Sequence, residues 1–132
     1  MIMERKVVIL VLCRKVIAQL FIEHITNNTQ MKALGVYGFS EVRNIALVHN
    51  PILALVEIPE QHGDPVQEAF DVCGDIKKVC PNCKIMLMCP EKDKKSVDAC
   101  VEAKKKGYIE DYVFYDTSPI YLTSKLEALL PG

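Results

Sequence analysis

Short apolar runs alternate with longer segments in which apolar residues recur at helical spacing, and this alternation repeats five times along the chain. The first run is continuous and rich in β-branched residues, as strands covered on both faces usually are. Together the runs predict strands at residues 7–12, 32–37, 52–56, 84–88 and 112–115.

A helix is predicted after each strand, and residues with known capping preferences mark several helix ends. Ser40, Asp64 and Ser118 are expected N-caps, because their side-chain oxygens can accept hydrogen bonds from a first helical turn. Proline in the first turn and glycine after the last turn support the same boundaries. The helices are expected at residues 14–27, 40–48, 64–80, 93–106 and 118–130, with Pro65, Gly107 and Pro119 at their ends.

Strands that alternate with helices through short connections favour a parallel sheet with helices on both faces, built from right-handed crossovers. The 132 residues are about the size of one ordinary domain, and no repeat or linker divides them. We therefore expect a single, three-layer α/β domain over residues 1–132.

Half of the residues are hydrophobic and a quarter are charged, with a formal net charge of −1. This balance is typical of a globular protein and gives no overall field that would attract nucleic acid or anionic lipid. No apolar run approaches the ~20 residues of a membrane span, and the amino-terminal residues lack the pattern of a signal peptide. The expected location is the cytoplasm, where the six cysteines would be unpaired thiols.

The most informative polar residue is Glu57, which directly follows the third apolar run. Ligands in an open parallel α/β sheet bind at the carboxyl ends of the strands. Cys13 and Arg14 follow the first strand and Cys89 follows the fourth, so these residues are expected at the same edge as Glu57. An ion pair between Arg14 and Glu57 would fix one conformation there. A solvent-exposed Glu57 is the alternative.

Residues 51–59 and 107–113, together with the five strand–helix units, resemble the response-regulator receiver domain. The resemblance spans nearly the whole chain and implies a CheY-like, flavodoxin-like fold with strand order 2-1-3-4-5. It also implies a phosphorylation site in which two acidic residues and an acceptor aspartate hold Mg²⁺. In that site a Thr or Ser and a Lys bind the phosphoryl oxygens.

The residues of this chain depart from the receiver pattern at each of those positions. Glu57 stands at the acceptor position, and Arg14 follows the first strand where the acids would be needed. Cys89 replaces the hydroxyl residue, and Tyr115 replaces the lysine. These changes remove the charge stabilisation on which phosphoryl transfer depends. The expected function is two-component signal transduction by a pseudo-receiver, with no metal, cofactor or enzymatic activity.

Contact with a partner protein or a fused output domain is the expected mode of action, without direct binding of nucleic acid or membrane. The resemblance implies that Tyr112 is the aromatic residue that turns with the state of the switch; an ordinary strand aromatic is the alternative. It also implies a homodimer through the fourth helix, fifth strand and fifth helix. The charged residues there suit either a matched dimer contact or plain solvation: Lys104, Lys105, Lys106, Glu110, Asp111 and Asp116.

Other functions stay open at this point. A receiver could still accept phosphate or Mg²⁺ at an unusual site. Cys13 could be the nucleophile of a phosphocysteine carrier or small phosphatase, although no glycine-rich loop follows it. Cys80 and Cys83 have the spacing of two zinc ligands, and further cysteines could supply the remaining ligands. A redox-active pair is the less favoured interpretation of the same spacing. Cys73 and Cys89 are the cysteines that could join such a site if the fold brought them close. The histidines His24, His49 and His62 have no catalytic spacing.

Overall fold

The structure is a computed structural model that describes residues 5–60 and 63–130. Within these residues, five parallel strands form one sheet in the order β2-β1-β3-β4-β5, which confirms the order that the resemblance implies. The strands are β1 (Val7–Val11), β2 (Lys32–Val36), β3 (Leu53–Glu57), β4 (Lys84–Cys89) and β5 (Asp111–Phe114).

Helices cover both faces of this sheet. α1 and α5 pack together on one face, and α2, α3 and α4 cover the other. The three-layer α/β architecture predicted from the hydrophobic pattern is therefore confirmed. The helices are α1 (Lys15–Asn28), α2 (Val42–His49), α3 (Pro65–Val79), α4 (Lys94–Lys105) and α5 (Pro119–Ala128).

Alternate residues of the central strands enter two separate cores, because successive side chains of a strand point to opposite faces. In β1, Val8 and Leu10 pack towards α1 and α5, whereas Ile9 and Val11 pack towards the other three helices. Every residue of β3 is buried. β3 pairs with β4 as far as Glu57, which lies opposite Met88. The Glu57 carboxylate is therefore attached to the last residue of a buried strand.

Two of the three expected N-caps are present. Asp64 accepts a hydrogen bond from the Gln67 N–H, and Ser118 accepts one from the Tyr121 N–H, each at 3.1 Å. The prediction for Ser40 is wrong. That residue lies inside a 3₁₀ turn, Phe39–Glu41, and α2 begins after it without a side-chain cap. The tighter turn comes first and moves the start of the α-helix past the serine.

The ends of several strands differ from the predicted ends by one residue, as is usual for such boundaries. β3 and β4 extend to Glu57 and Cys89, because partners in the ladder are still available on the neighbouring strands there. Tyr37 and Tyr115 lie beyond the ends of β2 and β5.

The cysteines are unpaired thiols, as expected: Cys13 is exposed, and the other five are buried. None of the helices in the described part of the chain is long and apolar enough to cross a membrane.

Candidate functional site

The candidate site lies at the carboxyl edge of the sheet, where Glu57 ends β3. Only 2% of this residue is exposed, so the alternative of a solvent-exposed glutamate is wrong. A buried carboxylate is costly unless it is paired with a cation and hydrogen-bonded. The stability of this edge therefore depends on what contacts the two carboxylate oxygens.

Arg14 and the backbone of Cys13 supply those contacts. Arg14 Nε donates to Oε1 of Glu57 at 2.8 Å, and the Cys13 N–H donates to Oε2 at 3.2 Å. Both donors lie in the connection between β1 and α1, with Arg14 at the N-cap position in an extended conformation. The expected Arg14–Glu57 ion pair is present, and it joins this connection to the end of β3.

The guanidinium of Arg14 has neighbours on its other sides. Nη2 donates to the Met88 sulfur at 3.4 Å, and Cζ lies 4.3 Å from the centre of the Tyr115 ring. A planar guanidinium stacks favourably on an aromatic face. Although 37% of the Arg14 side chain is exposed, a carboxylate, a sulfur and a ring hold its charged end in one place.

Tyr115 connects the end of β5 to the end of β3. Its hydroxyl donates a hydrogen bond to the carbonyl oxygen of Ile58, the residue after Glu57. Burial, and then the negative charge of Glu57, raise the pKa of the Tyr115 phenol. The phenol is therefore neutral at ordinary pH, and it lies between the ends of β5 and β3.

The residues around Glu57 do not fit a Mg²⁺ ion. This ion requires near-octahedral coordination by oxygen atoms, usually with carboxylates among them. Both oxygens of Glu57 are already engaged, one by the Arg14 guanidinium and the other by the Cys13 N–H. Within residues 5–60 and 63–130, no group of three or more His, Cys, Asp or Glu side chains could hold a metal ion.

The two cysteines expected at this edge lie in different environments. Cys13 is exposed, and partial burial of its sulfur together with the Glu57 carboxylate raises the pKa of its thiol. Cys89 is completely buried in the core under α3 and α4, and no hydrogen bond among the described residues joins it to Glu57. The structure thus brings Cys13, Arg14 and Tyr115 to Glu57 and leaves Cys89 apart.

Tyr112 lies on β5, away from the Glu57 carboxylate. It is half-buried, makes an edge-to-face contact with Phe114 at 6.0 Å, and has the Lys104 ammonium 5.9 Å from its ring centre. Asp111 accepts hydrogen bonds from Lys104 at 3.0 Å and from Lys125 at 2.6 Å. Some of the charges expected to meet a second copy are thus paired within the chain.

Among residues 5–60 and 63–130, the remaining cysteines and histidines form no catalytic arrangement. The Cys80 thiol donates to the Ala46 carbonyl at 3.3 Å and the Cys83 thiol to the Lys84 carbonyl at 3.7 Å. Burial raises the pKa of the Cys83 thiol to about 12. His24 contacts the Thr123 hydroxyl, His49 ends α2, and His62 lies outside the described residues.

Two contributors to the site were not predicted from the sequence. Met88 lies beside Glu57 because the β3–β4 register pairs them, and the carbonyl of Ile58 accepts the Tyr115 hydroxyl. The strand order implied by the resemblance makes β4 a neighbour of β3, and this was the available signal for Met88. The Ile58 contact depends on how a tyrosine turns after the strand has ended, and no sequence pattern indicates it.

No family model matches this sequence, and no curated protein matches it significantly. Solved structures do match. A response regulator from Thermotoga maritima is 14% identical, and the alignment covers 95% of this chain and 97% of that chain with a TM-score of 0.75. A CheY-like receiver domain protein from Methanospirillum hungatei is 12% identical, with coverages of 95% and 93% and a TM-score of 0.75. A response regulator receiver protein from Pseudomonas putida is 14% identical, with coverages of 96% and 99% and a TM-score of 0.74.

Similarity at this level of identity concerns the fold, and it agrees with the strand order and helix placement described above. The chain therefore has the fold of the response-regulator receiver (CheY-like) domain.

Proposed function

We propose that this domain acts in signal transduction through contacts with other proteins, that it holds one conformation without phosphorylation, and that it catalyses no reaction. The observation that carries the proposal is the engagement of both Glu57 oxygens by Arg14 and the Cys13 N–H. In this proposal residues 1–132 work as one receiver-like domain in the cytoplasm.

The charges at the sheet edge argue against phosphoryl transfer. That reaction depends on metal ions and cationic groups that neutralise the charge developing on the phosphoryl oxygens. The cation beside Glu57 is a guanidinium that already lies 2.8 Å from the carboxylate. A phosphoryl group on Glu57 would have to displace Arg14 from one oxygen and the Cys13 N–H from the other.

The same contacts provide a physical reason for a fixed conformation. The ion pair joins the β1–α1 connection to β3, and the Tyr115 hydroxyl joins the end of β5 to Ile58. The stacking of Tyr115 on Arg14 links these two contacts to each other. The Arg14–Glu57 pair thereby takes the place that a metal ion and a phosphoryl group have in a phosphorylated receiver. In this fixed conformation Tyr112 keeps a single orientation.

The proposed contact surface is formed by α4, β5 and α5 and is called the output face below. Phe114, Ile120 and Tyr121 are exposed on it. Because Asp111 is already paired with two lysines of its own chain, these apolar and aromatic groups supply the contact, with charged residues around them. The partner is another protein, a fused output domain or a second copy of the chain, and neither nucleic acid nor a membrane is contacted directly.

Two alternative functions receive less support from the site. A cysteine nucleophile requires a thiolate at neutral pH, but the pKa of the Cys13 thiol is raised. Phosphorylation at an unusual position would need an oxygen-rich cation site. The other acids near this edge, Glu60, Glu91 and Asp93, line a separate polar hollow beside Tyr115, and Asp93 accepts the Ser96 hydroxyl there at 2.6 Å.

Incubation with acetyl phosphate and Mg²⁺ tests the absence of phosphotransfer, with intact-mass spectrometry as the readout. We expect no added phosphoryl group, whereas a receiver with its full set of acids, treated in parallel, gains one. A matched nuclear magnetic resonance titration with Mg²⁺ and beryllofluoride should leave the amide signals of Cys13 and Glu57 unchanged. Phosphorylation that Glu57→Gln abolishes would overturn the proposal.

A further inference from the structure

A groove of about 690 Å³ lies between α3 and α4, on the opposite face of the sheet from α1 and α5. Its volume is within the range of about 300–1,000 Å³ that is usual for small-molecule sites. α3 packs against α2 and α4 packs against β4 and β5, but the backbones of α3 and α4 approach each other at few points. The space between these two helices is therefore not closed by the helices themselves.

Small residues from both helices line the middle of the groove, between longer side chains such as Phe70 and Lys77. Cys73 and Gly74 line it from α3, and Ala99 and Ala103 line it from α4. Gly74 is exposed, whereas Cys73 and Ala103 are buried, so the groove is open to solvent and has an apolar floor. The short side chains on both helices leave this floor accessible.

Gly74 is the most informative of these residues. It lies in the interior of α3 without a positive φ, and glycine at such a position weakens a helix relative to alanine. A Cβ atom built on Gly74 would meet no atom within 4 Å. Neither the backbone nor packing within the chain requires a glycine there, and its effect is to keep the groove open.

The groove has an apolar middle and a cationic end. Phe70 and Ile109 are among its apolar walls, and Lys77 and Lys106 line it in the last turn of α3 and just after α4. Lys106 is paired with Glu102 at 3.4 Å, and Glu102 also lines the groove. Lys77 makes no hydrogen bond or ion pair within the described residues. A cation is therefore available at one end of an apolar channel.

We propose that this groove binds a small linear carboxylate, with its alkyl chain beside Gly74 and the two alanines and its carboxylate at Lys77. From Gln67 to Lys77 the α3 wall is about 15 Å long at about 1.5 Å per residue. An extended carboxylate of about eight to ten carbons is about 10–13 Å long, at about 1.3 Å per carbon, and it lies within this wall. The groove is not lined by Arg14 or Glu57, so a test of this proposal is independent of a test of the proposed function.

Titration of the ¹⁵N-labelled chain with sodium octanoate tests the site. We expect saturable shifts of the amide signals of Gly74, Ala99 and Gly107. Lys77→Gln should weaken binding by about fivefold, the order expected for loss of one partly exposed charge pair. Lys78→Gln, one residue away and exposed, should leave binding within about twofold of the wild type. Equal affinity for octan-1-ol and octanoate would overturn the assignment of Lys77.

A second variant tests the groove itself. Gly74→Leu should fill the open space without a clash, keep the fold, and weaken octanoate binding by about tenfold or more. Ala99→Leu repeats the test from the facing helix if the first variant does not fold, and Ser124→Leu on α5 is the control. Unchanged binding by the folded groove variants, or non-saturating shifts at exposed apolar residues elsewhere, would overturn the proposal. A wild-type dimer that Gly74→Leu converts to a monomer would also overturn it, since the groove would then hold a second copy.

Discussion

Replacement of Arg14 by glutamine should destabilise the domain by an amount that depends on how deeply the ion pair is buried. Removal of one partner from a fully buried pair costs about 3–5 kcal/mol, whereas an exposed pair contributes about 0–1 kcal/mol. Glu57 is buried, but over a third of the Arg14 side chain is exposed. We therefore expect Arg14→Gln to lower the free energy of unfolding by about 2 kcal/mol, because Glu57 keeps only the Cys13 N–H.

Replacement of Glu57 by glutamine should cost less, about 1 kcal/mol, because the amide oxygen can still accept from Cys13 and the guanidinium can turn to solvent. In the double variant neither charge is buried without a partner, so the total cost should be about 2 kcal/mol. The coupling energy of the cycle is then about 1 kcal/mol.

Urea unfolding of the wild type, the two single variants and the double variant measures this coupling energy. The slope of the free energy of unfolding against urea concentration must be the same in all four proteins. The control is the Lys94–Asp98 pair, with a contact of 2.6 Å but with both side chains largely exposed. Its cycle, Lys94→Gln with Asp98→Asn, should give a coupling energy close to zero, because solvent screens the pair. A coupling between Arg14 and Glu57 no larger than that of the control would refute the argument from burial.

Three further predictions concern a thiol, a carboxylate and the output face. Cys13 should react with iodoacetamide near neutral pH more slowly than an unperturbed exposed thiol, because partial burial and the Glu57 carboxylate raise the pKa of its thiol. Glu57→Gln should speed this reaction, as followed by intact-mass spectrometry. Equal reaction rates in the wild type and the variant would contradict this prediction. Burial alone would raise the pKa of Asp111, but hydrogen bonds from two lysines lower this pKa by more. The contribution of Asp111 to the stability of the fold is therefore complete above its unfolded-state pKa of 3.8, and it is lost as the pH falls through the lower pKa of the folded state. Asp111→Asn should therefore cost about 1 kcal/mol near neutral pH and almost nothing at strongly acidic pH in thermal unfolding, and a cost that does not depend on pH would count against the ion pairs. Phe114→Ser should shift a wild-type dimer towards monomer in sedimentation velocity, whereas Leu47→Ser, at an exposed position on α2, should not; dissociation by Leu47→Ser instead would place the contact elsewhere.

The strands could be predicted because buried parallel strands need apolar residues on both faces, which makes each one a continuous run such as residues 7–12. Periodicity alone does not give their order, although the edge strands β2 and β5 are less buried than the three central strands. The order came from the resemblance carried by residues 51–59 and 107–113. Ser40 shows the limit of local rules, because a serine inside a 3₁₀ turn has the same sequence context as an N-cap.

The ion pair could be predicted because position along a strand fixes which edge of the sheet a residue reaches, and Arg14 and Glu57 both follow apolar runs. The stacking of Tyr115 on Arg14 depends on side-chain torsions that follow no period in the sequence. The groove between α3 and α4 was missed for a different reason. Gly74 and Ala99 look like ordinary helix residues, and the space between them arises only when two helices are placed side by side.

We propose that the Arg14 guanidinium occupies the place of a metal ion beside Glu57. A crystal structure determined after soaking in magnesium chloride tests it most directly. We expect Arg14 Nε to stay about 2.8 Å from Oε1 of Glu57 and no octahedral ion to touch this carboxylate. A Mg²⁺ ion coordinated by Glu57, with Arg14 turned away into solvent, would contradict it.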